Sequence, residues 1–283
     1  ITFSHNKNKV NRLTGESIQL YLANFGYSGA GASHQIGVGQ PLGQFYGYVT
    51  EGLYQVSDFD YDPTTQKYTL KEGIPYHGDK ASIQPGYWKF KNVDGSEDNL
   101  ITENDKTVIG NASPNFYGGI NNTFAYKNFD LTVDLQFVTG VDVFQHFKHS
   151  TEDRFGLANG LSSILYDAWS PLNTNTFVPA IRYAPSFGQN SHADSGWVCD
   201  GSYLRGNLIQ LGYVFDSSLT KKMGVGSFRV FAGVSNFFLL TSKDFAGYDP
   251  ESTSYDGNKW GQNISFFEYP KPRTYTVGLN VSF

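Results

Sequence analysis

Cysteine is almost absent from this chain: Cys199 is the single thiol among 283 residues. That excludes an internal disulfide framework, and no cysteine–histidine spacing offers a zinc site. Charge is scarce too, at 17% Asp, Glu, Lys and Arg, and the net charge of −5 leaves no basic stripe to neutralise phosphates. Nucleic acid is thereby excluded as a partner. No apolar run reaches the ~18 residues that a membrane-spanning helix needs. This does not exclude a membrane, because a barrel strand crosses with about ten residues that are apolar on one face only. The first residues, ITFSHNKNKV, show neither an initiator Met nor a signal peptide and begin in mid-pattern. The chain is therefore expected to be a part of a longer protein.

What is abundant is glycine (31), phenylalanine (23) and tyrosine (19), the composition of an all-β protein with many tight turns and ring-lined surfaces. The final stretch, RTYTVGLNVSF, alternates strictly. Tyr275, Val277, Leu279, Val281 and Phe283 share one face of a strand, and Thr274, Thr276, Gly278, Asn280 and Ser282 the other. FDLTVDLQFVTGVDV (129–143) reads as one long strand, with Phe129, Leu131, Val133, Leu135 and Phe137 opposite Asp130, Thr132, Asp134 and Gln136. FRVFAGVSNFFLL (228–240) is apolar on one face except at Asn236. Further strands are expected at 116–126, 207–215 and 44–54, with a truncated one at 1–6 and one or two more within 11–40. In a sandwich the polar faces would meet bulk water; in a membrane barrel they would line the lumen.

The links between these strands alternate in length. A two-residue KN turn joins 116–126 to 129–143, and about a dozen residues, DSSLTKKMGVGS, join 207–215 to 228–240. The links 55–115, 144–202 and 241–272 are long. Short turns on one side and long loops on the other are the arrangement of outer-membrane barrels. Seven to nine strands fall short of a barrel wide enough for such loops, so the remaining strands are expected before Ile1.

Six stretches carry a family resemblance: GQPLGQFYGYVTEGLYQ (39–55), the segment 85–137 from PGYWKF to DLQF, AWSPLNTNTFVP (168–179), VCDGSYLRGNLIQLGYVF (198–215), GYDPE (247–251) and YPKPRTYTVGLNVSF (269–283). In this order they resemble the carboxy-terminal part of the SusC-like (starch-utilisation-system) TonB-dependent outer-membrane transporters. The resemblance implies that residues 1–283 form the carboxy-terminal portion of a transmembrane antiparallel barrel of roughly 22 strands, with long extracellular loops and with the plug absent from this chain. It implies residence in the bacterial outer membrane. It also implies that the last strand is read by the barrel-insertion machinery, through a pattern that Thr276, Gly278, Val281 and Phe283 fit. Implied partners are a SusD-like surface lipoprotein, the remaining amino-terminal barrel and plug, the TonB complex acting through that plug, and outer-membrane lipid.

Two further groups of residues stand out on their own chemistry. In DGSEDNLITEND, the residues Asp94, Ser96, Asp98, Leu100, Thr102 and Asp105 occupy positions 1, 3, 5, 7, 9 and 12 of a calcium loop. Asn99 stands in place of the turn glycine, and Asp105 in place of the longer glutamate. The alternative is an acidic turn ordered by its own side chains. No other cofactor is expected. Trp88, Trp169, Trp197 and Trp260 all fall in the long links, as do Tyr166 and Tyr248. Such rings stack on sugar C–H faces, or else anchor loops to one another. His146 and His149 are three apart without a third ligand nearby, and no nucleophile–base order or catalytic carboxylate pair is present, so no enzymatic activity is expected.

The function expected is outer-membrane, TonB-dependent import of an oligomeric nutrient, an oligosaccharide or oligopeptide, with this chain supplying barrel wall and chamber loops. The alternative is a soluble all-β carbohydrate-binding or adhesion domain. The orientation of the apolar faces separates the two.

Overall fold

The computed structural model describes residues 1–14, 19–24, 32–148, 151–152, 159–181, 193–251 and 262–283. Six strands form one antiparallel sheet in which each pairs with the next in the chain: Thr2–Ser4, Phe116–Tyr126, Phe129–Thr139, Tyr203–Val214, Ser227–Thr241 and Thr274–Ser282. These are called the first to sixth wall strands below. Among the described residues the wall is a six-stranded meander in which the first and last strands each pair on one side.

The register sorts the faces. Leu131 pairs with Phe124 on one side and Leu211 on the other, and Val230 pairs with Tyr213 and Leu279. One side of the sheet is therefore Phe124, Leu131, Leu211, Val230, Val277 and Leu279, and no second layer covers it: Leu211 is 51%, Leu279 64% and Val277 80% exposed. An uncovered apolar face of that extent is not tolerated in water, whereas in hydrocarbon it is the required surface. Aromatic rings bound it above and below. Phe129, Tyr213, Phe215 and Phe228 follow one another at 4.8, 5.0 and 4.9 Å between centroids along the short-turn end. Phe3 stacks on Phe116 at 5.1 Å at the long-loop end. Two such girdles are the mark of a membrane-spanning strand wall.

The other face is polar and is fitted together through glycines. Asp130 and Arg229 form an ion pair across the fourth strand, the guanidinium Nε donating to the carboxylate at 2.9 Å. They meet above Gly212, where a Cβ would lie 2.3 Å from Arg229 and 2.4 Å from Asp130. The Arg229 guanidinium also lies over the Phe231 ring, which covers Gly278 on the sixth strand.

The structure corrects several details of the sequence reading. The stretch 129–143 is not one strand. It breaks at Gly140, whose φ of +64° ends the wall, and Asp142–Gln145 pairs instead with Val198–Asp200 and Ile264–Ser265. The stretch 44–54 is two short strands, Gln44–Gly47 and Thr50–Leu53, which belong to small sheets outside the wall. The region 11–40 contains two strands, Gln19–Asn24 and Ala32–Gly37. Among the described residues the wall therefore has six strands rather than seven to nine. Asn236, the polar interruption on the fifth strand, sits at a register shift with φ +51°, and its amide donates to the Pro272 carbonyl at 3.0 Å.

The three long excursions, 5–115, 140–202 and 242–273, are folded together. One core draws Phe45 and Ala112 from the first, Phe144, Ala193 and Trp197 from the second, and Ile264 from the third. A second core packs Tyr48, Leu53, Trp88, Phe90 and Ile101 against Trp169. Burying each such large side chain contributes about 1.5–3 kcal/mol, so these links are a packed extracellular layer and not open loops.

Replacing Gly212 with Val is expected to drive a side chain into the Asp130–Arg229 pair and to cost roughly 1–3 kcal/mol. The measurement is the temperature at which the folded band converts to the unfolded one in a heat-modifiability gel, which should fall in the variant. An unchanged midpoint would show that the pair is not confined by the missing Cβ.

Candidate functional site

The polar side chains concentrate where the third excursion returns over the lumenal face. The fourth strand has one more residue than its neighbour there: Asp134 pairs with Leu208 and Leu135 with Gly206, leaving Asn207 as the extra member. This bulge switches which residues alternate inward. Below it Gln210 and Gly212 face the lumen, and above it Arg205 and Tyr203 do. Gln136, opposite Arg205, donates to the Tyr203 hydroxyl at 3.0 Å and to Glu251 at 3.3 Å, and its carbonyl accepts from Asn207 at 3.3 Å.

Four charges knit the excursion to this bulge. Arg205 Nη2 lies 2.6 Å from Asp249 and 3.3 Å from Glu251; Lys271 Nζ lies 2.7 Å from Glu251 and 3.4 Å from Asp249. Arg205 and Asp249 are buried. Burial alone would raise the Asp249 carboxyl, but the Arg205 hydrogen bond, the Glu251 amide and the two cations outweigh it and hold it below the usual carboxylate range. Beside the cluster lies a cavity of about 600 Å³ between wall and excursion. Tyr117, Asp134, Gln136, Tyr203, Asn207 and Glu251 line it, so it presents phenol, amide and carboxylate groups to whatever enters.

Two buried polar groups pin the excursions to one another. Asp194 Oδ1 accepts from the Thr50 hydroxyl and the Gly196 amide, both at 2.7 Å. Burial pushes its carboxyl up to about 6, against the smaller opposing pull of those bonds. His34 Nε2 lies 3.1 Å from the Gln262 carbonyl and Nδ1 2.7 Å from the Ser33 hydroxyl. A carbonyl only accepts, so Nε2 carries the proton and Nδ1 takes the hydroxyl's. Burial lowers this imidazole to about 4, so it is neutral near pH 7. Cys199 is buried and its thiol is pushed up to about 12 by that burial, so it is not a nucleophile.

The residues singled out from sequence fall in different places. Trp88, Trp169 and Trp197 are buried in the two excursion cores and offer no open ring face; Trp169 Nε1 donates to Gln55 at 3.0 Å. Tyr166 and Tyr248 are exposed, at 80% and 66%. Trp260 and His149 lie outside the described residues. Thr276, Gly278 and Val281 are on the sixth wall strand with Phe283 just beyond it, Thr276 and Gly278 facing the lumen and Val281 the outer face.

In the acidic loop, Asp105 is fully buried and its two oxygens accept the amides of Val93, Asp94 and Thr102 at 2.8, 3.2 and 2.7 Å. Asp94 and Asp98 accept the amides of Ser96 and Leu100, and the Thr102 hydroxyl that of Asn104. The oxygens thus serve the loop's own backbone, and no group of three acidic, His or Cys side chains among the described residues is placed to hold a metal. In this arrangement the oxygens expected to take calcium are occupied by backbone amides. The sequence reading missed the cluster of Arg205, Asp249, Glu251 and Lys271. Its signal was there: in a charge-poor chain, the acidic pair of GYDPE and the basic pair of KPR bracket one excursion.

The chain is 32% identical to TonB-dependent receptor P3 of Formosa agariphila over 99% of its length, and 26% identical to TonB-dependent receptor P39 of the same organism, again over 99%. The chain belongs to the TonB-dependent receptor family. Its strands are those of an outer-membrane barrel, and no helix among the described residues is long and apolar enough to cross a membrane. The structure of the RagAB peptide importer superposes on 99% of the chain with a TM-score of 0.68 at 21% identity, a likeness of fold. No family model matches the chain. The chain spans about a quarter of the length of these relatives, 26% and 28% of the two receptors and 26% of the importer chain.

Two outcomes are expected here. A carboxyl raised from its unfolded value of about 4 to about 6 when folded stabilises most below pH 4, and that contribution is lost as pH rises through 6. Protection of the Tyr48 and Ser195 amides, which bridge the first and second excursions, should therefore fall between pH 4 and 6 after correction for intrinsic exchange. In Asp194→Asn, which keeps the acceptor oxygen, it should stay flat; a parallel decline in both proteins would remove Asp194 as the cause. In the acidic loop, Asp105→Ala should cost roughly 1–3 kcal/mol by stranding amide donors, while calcium or chelator leaves the melting temperature unchanged. A calcium-dependent rise would show that the loop rearranges around the ion.

Proposed function

We propose that this chain is wall and chamber roof of a SusC-like importer, which takes up an oligosaccharide or oligopeptide across the outer membrane. The observation that carries this reading is the 600 Å³ cavity at the lumenal face, walled by Tyr117, Asp134, Gln136, Tyr203, Asn207 and Glu251. These phenol, amide and carboxylate groups stand among apolar Phe137, Val138 and Val141, a mixture that suits oligomers offering hydrogen-bonding groups beside apolar faces. The packed excursions hold these groups on a rigid frame, as a recognition surface requires. The name of the superposed importer supports an oligopeptide, and the receptor relatives support import in general. Nothing in the cavity resembles an activated nucleophile or a catalytic carboxylate pair, so binding and passage are its role.

In the complete protein, the amino-terminal barrel and plug would fill the lumen beneath this roof. A SusD-like surface lipoprotein would close it from outside, and the TonB complex would act through the plug. Of the rings singled out from sequence, Tyr166 and Tyr248 are exposed and would be free to meet a ligand or that lipoprotein. The final strand would serve as the insertion signal through Thr276, Gly278, Val281 and Phe283. A soluble carbohydrate-binding module is disfavoured by the uncovered apolar face of the wall.

The test uses the complete transporter in outer membranes, supplied separately with mixed oligosaccharides and mixed oligopeptides. Gln136→Ala combined with Asn207→Ala should reduce uptake of one pool about tenfold, through loss of two or more hydrogen bonds, with heat-modifiable migration unchanged. If uptake of both pools is unaffected, the cavity is not part of the transport path.

A further inference from the structure

The amides that line the lumenal cavity spend their N–H groups on the protein itself. Gln136 Nε2 donates to the Tyr203 hydroxyl and to Glu251. Asn263 Nδ2 donates to the Ala112 carbonyl at 3.0 Å and to the Asp142 carbonyl at 3.3 Å. Asn207 Nδ2 gives one of its two hydrogens to Gln136. The side-chain oxygens of Asn207 and Asn263 accept no hydrogen bond among the described residues. An amide that donates into the protein leaves its oxygen for a ligand. Neutral donors remain on Ser4, Tyr117 and Gln262, but the surplus is of acceptors.

The charges point the same way. Two cations and two carboxylates, Arg205, Lys271, Asp249 and Glu251, balance one another. Arg205 and Lys271 line a different cavity, of about 430 Å³. That one lies at the rim, where the fifth wall strand runs on to Thr241 beyond its last pair with the sixth, Ser235 with Thr274. No Lys, Arg or His among the described residues lines the lumenal cavity. Of the three carboxylates in 129–143, Asp130 is held by Arg229, and Asp142 accepts the Asn111 amide at 2.7 Å. Asp134 lines the lumenal cavity and makes no hydrogen bond or ion pair among the described residues. A carboxylate left over in a cleft of one sign draws in the opposite charge.

We propose that Asp134 makes this cavity selective for an oligomer that carries a protonated amine. The inference rests on the importer reading and names the chemistry its substrate must offer. An ammonium group has three hydrogens to give and nothing to accept with, which matches a free carboxylate and spare amide oxygens. Its bond to Asp134 is charge-assisted, and so stronger than any that a hydroxyl or a neutral amide makes there. If Asp134 served only to wet the lumen, an asparagine would do as well.

The experiment supplies the complete transporter in outer membranes with a mixed oligopeptide pool and with an oligosaccharide pool that includes amino sugars. Each is given before and after acetylation of its free amines, which removes their charge. Acetylation should lower uptake about tenfold, and the pool that responds tells a peptide amine from an amino sugar. Asp134→Asn keeps the size and an acceptor oxygen. It should take up the untreated pool about as slowly as the acetylated one. Asp134 has no bond to lose among the described residues, so heat-modifiable migration of the variant should match the parent. Equal uptake of treated and untreated pools by the parent would overturn the proposal without any variant, and so would a full acetylation effect that persists in Asp134→Asn. The combined Gln136→Ala and Asn207→Ala variant separates the two levels. If it lowers uptake while acetylation does nothing, the cavity lies on the transport path and the charge preference is wrong. If neither has an effect, both readings fall.

Discussion

In hydrocarbon no water is available to a backbone amide, so every N–H and C=O of a spanning segment has to be paired by a neighbouring strand. The pairing that runs from the first wall strand to the sixth meets that requirement between neighbours, apart from the bulges and the two outer edges, and it fixes the faces. Once register is set, alternation decides which side chain meets lipid. A slip by one residue would turn Asp130, Asp134 and Arg229 outward, at about 2–4 kcal/mol for a cation at mid-membrane depth. Near the top of the wall the rule is bent on purpose. The extra residue Asn207 switches the inward set from Leu208 and Gln210 to Arg205 and Tyr203. Without that switch Arg205 would face outward, out of reach of Asp249.

The excursions obey a different solvent. They stand in water and are held as a soluble domain is held, by apolar cores. Phe45, Phe144 and Ile264 are fully buried although each comes from a separate excursion. The loops therefore stabilise one another more than they stabilise the wall. Their polar pins, Asp194 and His34, sit between excursions rather than between excursion and strand. A packed layer of this kind can carry binding groups at fixed distances, which free loops of the same length cannot.

The wall was legible in the sequence because its signal is local. Period-two alternation at 116–126, 129–139 and 274–282 states strand, face and direction without knowledge of the partner. The excursions were not legible for the same reason. Their strands are two to six residues long, too short for a period to show, and they pair across separations set by the wall. Trp88, Trp169 and Trp197 look like ligand-stacking rings in sequence because nothing local says that a core will close over them. The acidic loop shows how one spacing serves two readings. Side-chain oxygens at alternate positions suit a cation, yet they equally suit the loop's own amides, and Asp105 is taken by three of these. Asn236 reads as a flaw in a strand until its left-handed backbone reveals a bulge.

A buried ion cluster is weak support for stability, since desolvation of the charges offsets much of their attraction. Its value lies in geometry. Arg205 is fixed to the wall by the bulge, and Asp249, Glu251 and Lys271 belong to the excursion that returns to the last strand. The cluster therefore sets where that excursion lands, and it lands between two cavities of opposite character. On the lumenal side the polar lining is carboxylate, amide and phenol among apolar side chains; on the rim side Arg205, Lys271 and Arg273 stand with Asp249 and the rings of Phe238, Tyr248 and Tyr275. Glu251 reaches the first and Lys271 the second while they bond each other.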